Sequence, residues 1–363
     1  MSFVNDSLPH YPGLADRTRP FFSLSYPVPT PHNTNLLPQW QHYGKGYLDA
    51  CFVLTWIIFF SVTREVAMSY ILTPIARRVL YGTTPTVPTP SNGVGQRPKS
   101  HRKREERQRA RNITRFSEQG FSLIYYVVYW SFGMYIYVNS PWAPYKLHEL
   151  WIGYPHTPLP GPVKFYYLTQ LAEWCHQLII LNIEARRKDH WQMFSHHIIT
   201  IGLMIASYMG NLTRIGTMIL LLMDFCDWVF PTAKMLRYVG FTTGTDIAFV
   251  IFLASWFLTR HLLFITLIYS TYRHAPQHIP LRWSPSNGLY LSHSSWTIFL
   301  VLLSILQVLM LIWFWMILAV ALRVVTGRGA EDVRSDDEED SEGGSNGQSG
   351  ASVQTPAETR KTQ

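Results

Sequence analysis

The stretch QMFSHHIITIGLMIASYMGNLTRIGTMILLLMDFCDWVFPTAKMLRY, Gln192 to Tyr238, decides how the rest of the chain is read. Two apolar runs, Gln192–Met209 and Arg214–Phe230, flank the turn-like tetrad Gly210-Asn211-Leu212-Thr213. Each run approaches the roughly 20 residues a helix needs to cross a bilayer core, so the pair predicts a membrane hairpin. Four ionisable side chains interrupt it, His196 and His197 in the first run, Asp224 and Asp227 in the second. Inside a membrane such groups are costly, so they face a bundle interior or a wet cavity and find partners there. Counted outward from the turn, His196 lies about fifteen residues back and Asp227 about fifteen forward. At a rise of about 1.5 Å per residue both stand roughly 22 Å from the turn, at one depth. Asp224 and Asp227, spaced i,i+3, share a helix face. Adjacent histidines diverge by about 100°, which favours one reacting imidazole and one supporting imidazole.

Outward from this hairpin, five more apolar stretches complete a set of seven spans: Tyr47–Thr63, Phe121–Val138, Phe165–Ile183, Thr245–Ser270 and Trp296–Leu322. The composition agrees, because the 363 residues are 47% hydrophobic and only 15% charged, too little charge for a disordered chain or an ordinary soluble enzyme. The expected fold class is an all-α integral membrane protein with seven transmembrane helices. Cys51, Cys175 and Cys226 all fall in apolar stretches, which argues against a disulfide framework or a cysteine-rich metal site. Met1–Gly46 is polar and proline-rich, without the apolar core of a cleavable signal peptide.

Orientation follows from lysine and arginine in the short loops. Arg97–Arg115, between spans one and two, holds nine basic and two acidic residues, a net of +7. Arg186, Arg187 and Lys188, then Lys234 and Arg237, then Arg323 and Arg328 recur on the same side, whereas the loops of the opposite side carry few, Lys146 and Lys164, then Arg273 and Arg282. The amino terminus is therefore expected in the lumen and the carboxyl terminus in the cytosol. A basic run also suits nucleic acid, but beside seven spans it reads as a membrane-flanking loop, and no nucleic-acid partner is expected.

Three chemistries fit the His-His and Asp-x-x-Asp set. It is a buried polar network that locks helix packing, or a metal site, or an acyl-transfer centre. Adjacent histidines are poor co-ligands on one helix and neither His196 nor His197 belongs to a His-x-x-x-His, so no metal is expected. In the acyl-transfer reading an imidazole is base or nucleophile and a carboxylate fixes its tautomer. A proton relay in a transporter would also use such groups, but no inverted repeat or broken helix pair supports it.

Taken together, His196-His197-x-x-Thr200, Ser207-Tyr208, Asn211-x-Thr213-Arg214-x-Gly216, Asp224-x-x-Asp227, Ala233-Lys234 and Tyr238 resemble the Lag motif of ceramide synthases, TLC-domain sphingoid-base N-acyltransferases of the endoplasmic reticulum. The lead-in Ala185–Met193 resembles the fungal branch, and Arg64-Glu65 is also familiar from the family. The resemblance implies a TLC domain of six membrane helices over 116–325, preceded by a lumenal tail (1–46), a first membrane helix with its cytosolic extension (47–80) and a basic cytosolic linker (81–115). A disordered acidic cytosolic tail (326–363) follows. No homeobox-like insert stands between the first two spans.

What the resemblance implies is transfer of a fatty acyl group from acyl-CoA, a co-substrate rather than a cofactor, to the amino group of a long-chain sphingoid base. His196, His197, Asp224 and Asp227 would be the catalytic residues. The preferred mechanism is a His196 nucleophile passing through an acyl-imidazole, with Asp224 or Asp227 holding its ring, and one-step aminolysis with histidine as general base is the alternative. Arg186, Arg187 and Lys188 would meet the coenzyme A phosphates or serve only as flanking charge, and Arg260 would contact substrate. The loop Thr271–Ser294 would gate chain length. Partners would be the bilayer, another ceramide synthase in a homo- or heterodimer, and a small accessory membrane subunit. Asn5 opens a sequon on the lumenal tail, and Ser335 and Ser341 precede acids as acidophilic kinase sites do. A non-catalytic TLC protein would be expected to have lost the His/Asp set, which is intact here.

Overall fold

The computed structural model describes residues 14–31, 35–82, 99–183 and 189–326. Asn5, the Arg186–Lys188 cluster, Ser335 and Ser341 lie outside them. The described chain is almost wholly helical. After α1 (Leu14–Phe22) and two short strands, β1 (Pro27–Val28) and β2 (His42–Tyr43), come α2 (Asp49–Val66), a π turn (Ala67–Leu72) and α3 (Thr73–Tyr81) in one continuous run. Next are α4 (Lys99–Val138), the strand β3 (Leu159–Pro160), α5 (Gly161–Ile183), α6 (His190–Met209) and α7 (Thr213–Val239). α8 (Thr242–Trp256), a second π turn (Phe257–Leu263) and α9 (Phe264–Arg273) form another continuous run, followed by α10 (Ala275–His278) and α11 (His293–Val325).

Helices cover all seven predicted stretches. Among the described residues, five helical runs are long and apolar enough to cross a membrane: Asp49–Tyr81, Arg102–Val138, Thr213–Val239, Thr242–His278 and His293–Arg323. The other two, α5 and α6, carry more polar residues, among them Lys164, Gln170, Glu173 and His176 on α5 and His190, His196 and His197 on α6. Most of these are buried against neighbouring helices.

Two helices outrun their predicted stretches. The basic run is no loop from Lys99 onward but the first half of α4, a helix of 40 residues. Its Arg, Lys, Glu and Gln are good helix formers, and Arg102 and Glu106 pair one turn apart at 3.3 Å. α7 continues past Phe230 and through Pro231 to Val239. Gly240, at φ +81°, then ends it, with its own N–H on the Arg237 carbonyl and the Phe241 N–H on the Leu236 carbonyl. Because proline has no N–H, the carbonyl of Asp227, four residues before Pro231, loses its intrahelical donor.

α7 is the hub of the bundle, touching α4, α5, α6, α8 and α9, while α11 closes over α6 and α9. Tyr166, Tyr167, Leu168, Phe264 and Leu267 are among the fully buried side chains of the main core. The tight turn between α6 and α7 places Asn211 at φ +60°, a conformation asparagine accepts more readily than most residues.

A polar cap covers that end of the bundle. The three strands form an antiparallel sheet in the order β1-β2-β3, pairing Val28 with His42 and His42 with Pro160. Beneath it, Lys164 at the start of α5 meets Asp49 at the start of α2 at 2.7 Å and donates to the Ser25 and Gly44 carbonyls, each at 2.8 Å. Tyr208 donates to Asp49 at 2.7 Å, and Lys45 donates to the Tyr208 carbonyl and to Asn211 Oδ1. Removing one partner of so buried a pair strands the other charge, at a cost of about 3–5 kcal/mol. Lys164→Met should therefore lower the unfolding temperature in detergent well below that of the parent, and an unchanged melting curve would show that the pair contributes nothing.

Candidate active site

α5, α6, α7, α11 and the α8–α9 run each send at least one side chain into one region, at the end of the hairpin far from the α6–α7 turn. His196 is half-buried on α6, edge-on between Trp174 of α5, 5.3 Å away ring to ring, and Trp313 of α11, 5.1 Å away. His197 is buried, and its ring lies 5.1 Å from that of Trp174. The two aspartates stand at the same level. Trp313, which touches His196, packs in one cluster with Cys226 and Val229, one residue before and two after Asp227 in the helix, and with Met193, one turn before His197. The depth argument made from residue counts therefore matches the packing.

The two imidazoles are held differently. His197 Nδ1 is 2.8 Å from the Met193 carbonyl oxygen. A carbonyl only accepts, so Nδ1 carries the proton and a neutral His197 presents its Nε2 lone pair. His196 Nδ1 is buried without a hydrogen-bond partner. The contact expected between imidazole and carboxylate is not the one formed. Asp224, 2% exposed, accepts from Gln170 Nε2 at 2.5 Å. Gln170 in turn accepts from the Tyr125 hydroxyl at 2.9 Å, which fixes which end of its amide faces the carboxylate. Asp227 accepts from Arg260 Nη2 at 2.7 Å, and the same nitrogen donates to the Met223 carbonyl at 3.0 Å.

Arg260 is only 5% exposed and lies in the π turn, its guanidinium 4.2 Å over the Trp256 ring. Cys226 Sγ, 3.4 Å from Ser255 Oγ and 3.3 Å from Thr259 Oγ1, holds this segment against α7. Arg260 is thus a partner of the aspartate, where sequence reasoning has it as a substrate contact. Around the imidazoles and this pair, His196 Nδ1, Thr200 Oγ1, Arg260 Nη1 and the indole nitrogens of Trp228, Trp256 and Trp313 are buried with no partner among the described residues. Each such group costs about 1–3 kcal/mol if nothing ever satisfies it, so the concentration of them here marks a place built to receive polar atoms.

One turn beyond His196 on the same face of α6, Thr200 opens an apolar cavity of about 70 Å³ between α6, α7 and α11. Its wall is almost entirely hydrocarbon, with Leu203, Ile219, Phe299 and Leu303 at mid-length. A reactive polar centre at the head of a greasy slot suits a ligand with a polar, reacting end and a long apolar tail.

Other polar residues find structural partners. Glu173 and His176 pair at 3.1 Å as their spacing predicts. Arg214 donates to the Glu149 and Ile152 carbonyls, each at 3.0 Å, which fits an anchor at the start of α7. Among the described residues, no three His, Cys, Asp or Glu side chains gather as metal ligands would. Trp174, Trp313, Gln170 and Tyr125 escape a reading of the sequence. Gln170 offers a signal, a polar residue one turn from Glu173 inside an apolar helix, whereas the two tryptophans look like any bilayer aromatic.

The sequence is similar to those of known proteins. The TLC domain, as a family profile, matches residues 115–319. Ceramide Synthase FUM18 of Gibberella moniliformis is 38% identical over 89% of this chain and 78% of its own length. Sphingosine N-acyltransferase lag1 of Schizosaccharomyces pombe is 37% identical over 91% of this chain and 76% of its own. Ceramide synthase 5 of Homo sapiens is 31% identical over 66% of this chain and 59% of its own.

Proposed function

The chain belongs to the ceramide synthases of the TLC-domain family, and from that premise we propose that it joins a fatty acyl group from acyl-CoA to the amino group of a sphingoid long-chain base. The observation that carries the reading is the His196/His197 pair set at the head of an apolar slot, with buried donors around it.

The reaction forms one amide C–N bond and breaks one thioester C–S bond. The ammonium of the base loses two protons, one of which leaves on the coenzyme A thiol. His196, with no partner on Nδ1, attacks the thioester carbonyl and carries the acyl group as an acyl-imidazole while the thiol departs. His197, its Nδ1–H tied to Met193, offers Nε2 as general base to the incoming amine. Amine attack then expels the His196 imidazole and completes the amide. Asp224 and Asp227 act electrostatically, Asp224 through Gln170 and Asp227 through Arg260. The firm seating of His197 also favours a second course, one-step aminolysis with His197 as base and no covalent intermediate. Intact-mass analysis after incubation with acyl-CoA alone separates the two, because only the first leaves an adduct on His196.

The protein is a multi-pass membrane protein. We place it in the endoplasmic reticulum with seven spans, α5 and α6 crossing alongside the five more apolar helical runs. The histidines would then lie near the cytosolic face, where water-soluble coenzyme A reaches the thioester and Arg186, Arg187 and Lys188 could meet its phosphates.

The direct test is membranes of cells expressing the chain, incubated with acyl-CoA and sphinganine or phytosphingosine, with amides read by mass spectrometry. No amide above the level of the empty membranes would refute the function. Topology is tested separately by tags at residues 5 and 105 in sealed microsomes. The tag at residue 5 should be protected from protease and the tag at residue 105 cleaved, and the reverse pattern would overturn the orientation.

A further inference from the structure

The apolar slot has a floor, and its distance from His196 limits what the slot can hold. At its far end it is lined by Leu212, Leu291, Trp151 and Trp296. The two indoles are pinned to consecutive residues of α9: Trp151 Nε1 donates to Ser270 Oγ at 2.8 Å, and Trp296 Nε1 donates to the Thr271 carbonyl at 2.9 Å. Trp151 is 1% exposed, and Trp296 stacks on Tyr272 with 20° between the ring planes. Both are wide, stiff side chains with the polar edge already occupied, so neither swings aside without losing a hydrogen bond.

Two helices give the depth. Along α11, Trp313 touches His196 and Trp296 forms the floor, 17 residues apart in sequence, a rise of about 25 Å. Along α6, His196 and Ser207, another residue of the wall, are 11 residues apart, a rise of about 16 Å. An extended hydrocarbon advances about 1.25 Å per carbon, given C–C bonds of about 1.5 Å. The slot therefore holds between about 13 and about 20 carbons counted from His196. A chain of 26 carbons would need about 32 Å and would strike the indoles.

We infer that Trp151 and Trp296 are specificity-determining residues that close the acyl slot at a long-chain length of about 16 to 18 carbons and exclude very-long-chain acyl groups. This rests on the acyl-transfer reading above. It also divides the gate between loops, because Trp151 comes from the segment between α4 and α5, outside the expected gate Thr271–Ser294, of which Thr271 and Leu291 line the same slot.

The test offers saturated acyl-CoAs of 14 to 26 carbons to membranes carrying the full chain, with sphinganine as base. Each methylene that fits or fails to fit a hydrophobic pocket changes selectivity by about 10-fold or more. The parent should give most amide at 16 to 18 carbons and at least about 10-fold less at 24. Trp151→Ala should raise the 24-carbon to 16-carbon product ratio by about 10-fold or more. Should that variant fold poorly, Ile219→Trp fills the slot at mid-length from α7 and should move the maximum to shorter chains. Parent product peaking at 24 or 26 carbons, or an unchanged length profile in either active variant, would overturn the inference and leave the function standing. No amide from any acyl-CoA would overturn the function and the inference together.

Discussion

His196→Ala is expected to abolish N-acylation while leaving the protein folded. The imidazole makes no hydrogen bond through Nδ1 and is held by the edges of Trp174 and Trp313, so its removal strands no polar partner. The loss is then a cavity the size of one ring, and partial collapse of the two indoles limits its cost. The rate loss has no such limit, because on the proposed mechanism the group that attacks the thioester is gone, and groups acting as a unit are strongly non-additive. His196→Ala with His197→Ala should be hardly slower than His196→Ala alone. The measurements are amide formation and detergent melting temperature for both singles and the double. Full activity in His196→Ala would end its catalytic role. Activity lost in proportion to a lowered melting temperature would assign it a packing role instead.

Much of this site is legible in the sequence because the hairpin is local. Asp227 lies 31 positions after His196, both helices rise by a fixed amount per residue and only residues 210–212 lie between them, so depth can be counted. What counting cannot reach is rotation about each helix axis. The partners of the aspartates depend on it, and both come from elsewhere. Gln170 is 54 residues before Asp224 and Arg260 is 33 residues after Asp227. Arg260 also sits in a π turn, whose wider register shifts the facing of a side chain and which sequence periodicity does not reveal. The same limit hides the helix in the basic run. A stretch dense in arginine and lysine signals its side of the membrane by charge, whereas its backbone is governed by helix propensity and by local pairs such as Arg102 with Glu106.

The Arg260 contact changes what removal of Asp227 should do. If Asp227 were the carboxylate that holds the imidazole, one of the two the sequence allows, Asp227→Ala would abolish N-acylation without unfolding the protein. In the structure its carboxylate neutralises a guanidinium that is 5% exposed, and a charge left unpaired in such a place costs about 3–5 kcal/mol. Asp227→Ala should therefore lose both activity and several degrees of melting temperature, and Arg260→Met should do the same from the other side. Replacing both, Asp227→Leu with Arg260→Met, removes the buried guanidinium and its partly exposed partner together, and replacing a buried ion pair with apolar residues is often neutral or stabilising. The double variant should melt near the parent, with the two stability losses strongly coupled rather than additive. Activity decides between the roles of the pair. If it supplies field or donors to the reacting carbonyl, the stable double variant stays inactive, since removing even one donor to a developing oxyanion costs about 10²–10³ in rate. Recovery of amide formation alongside recovery of the melting temperature would show that Asp227 and Arg260 only hold α7 against the α8–α9 run, and that the chemistry belongs to the histidines and Asp224.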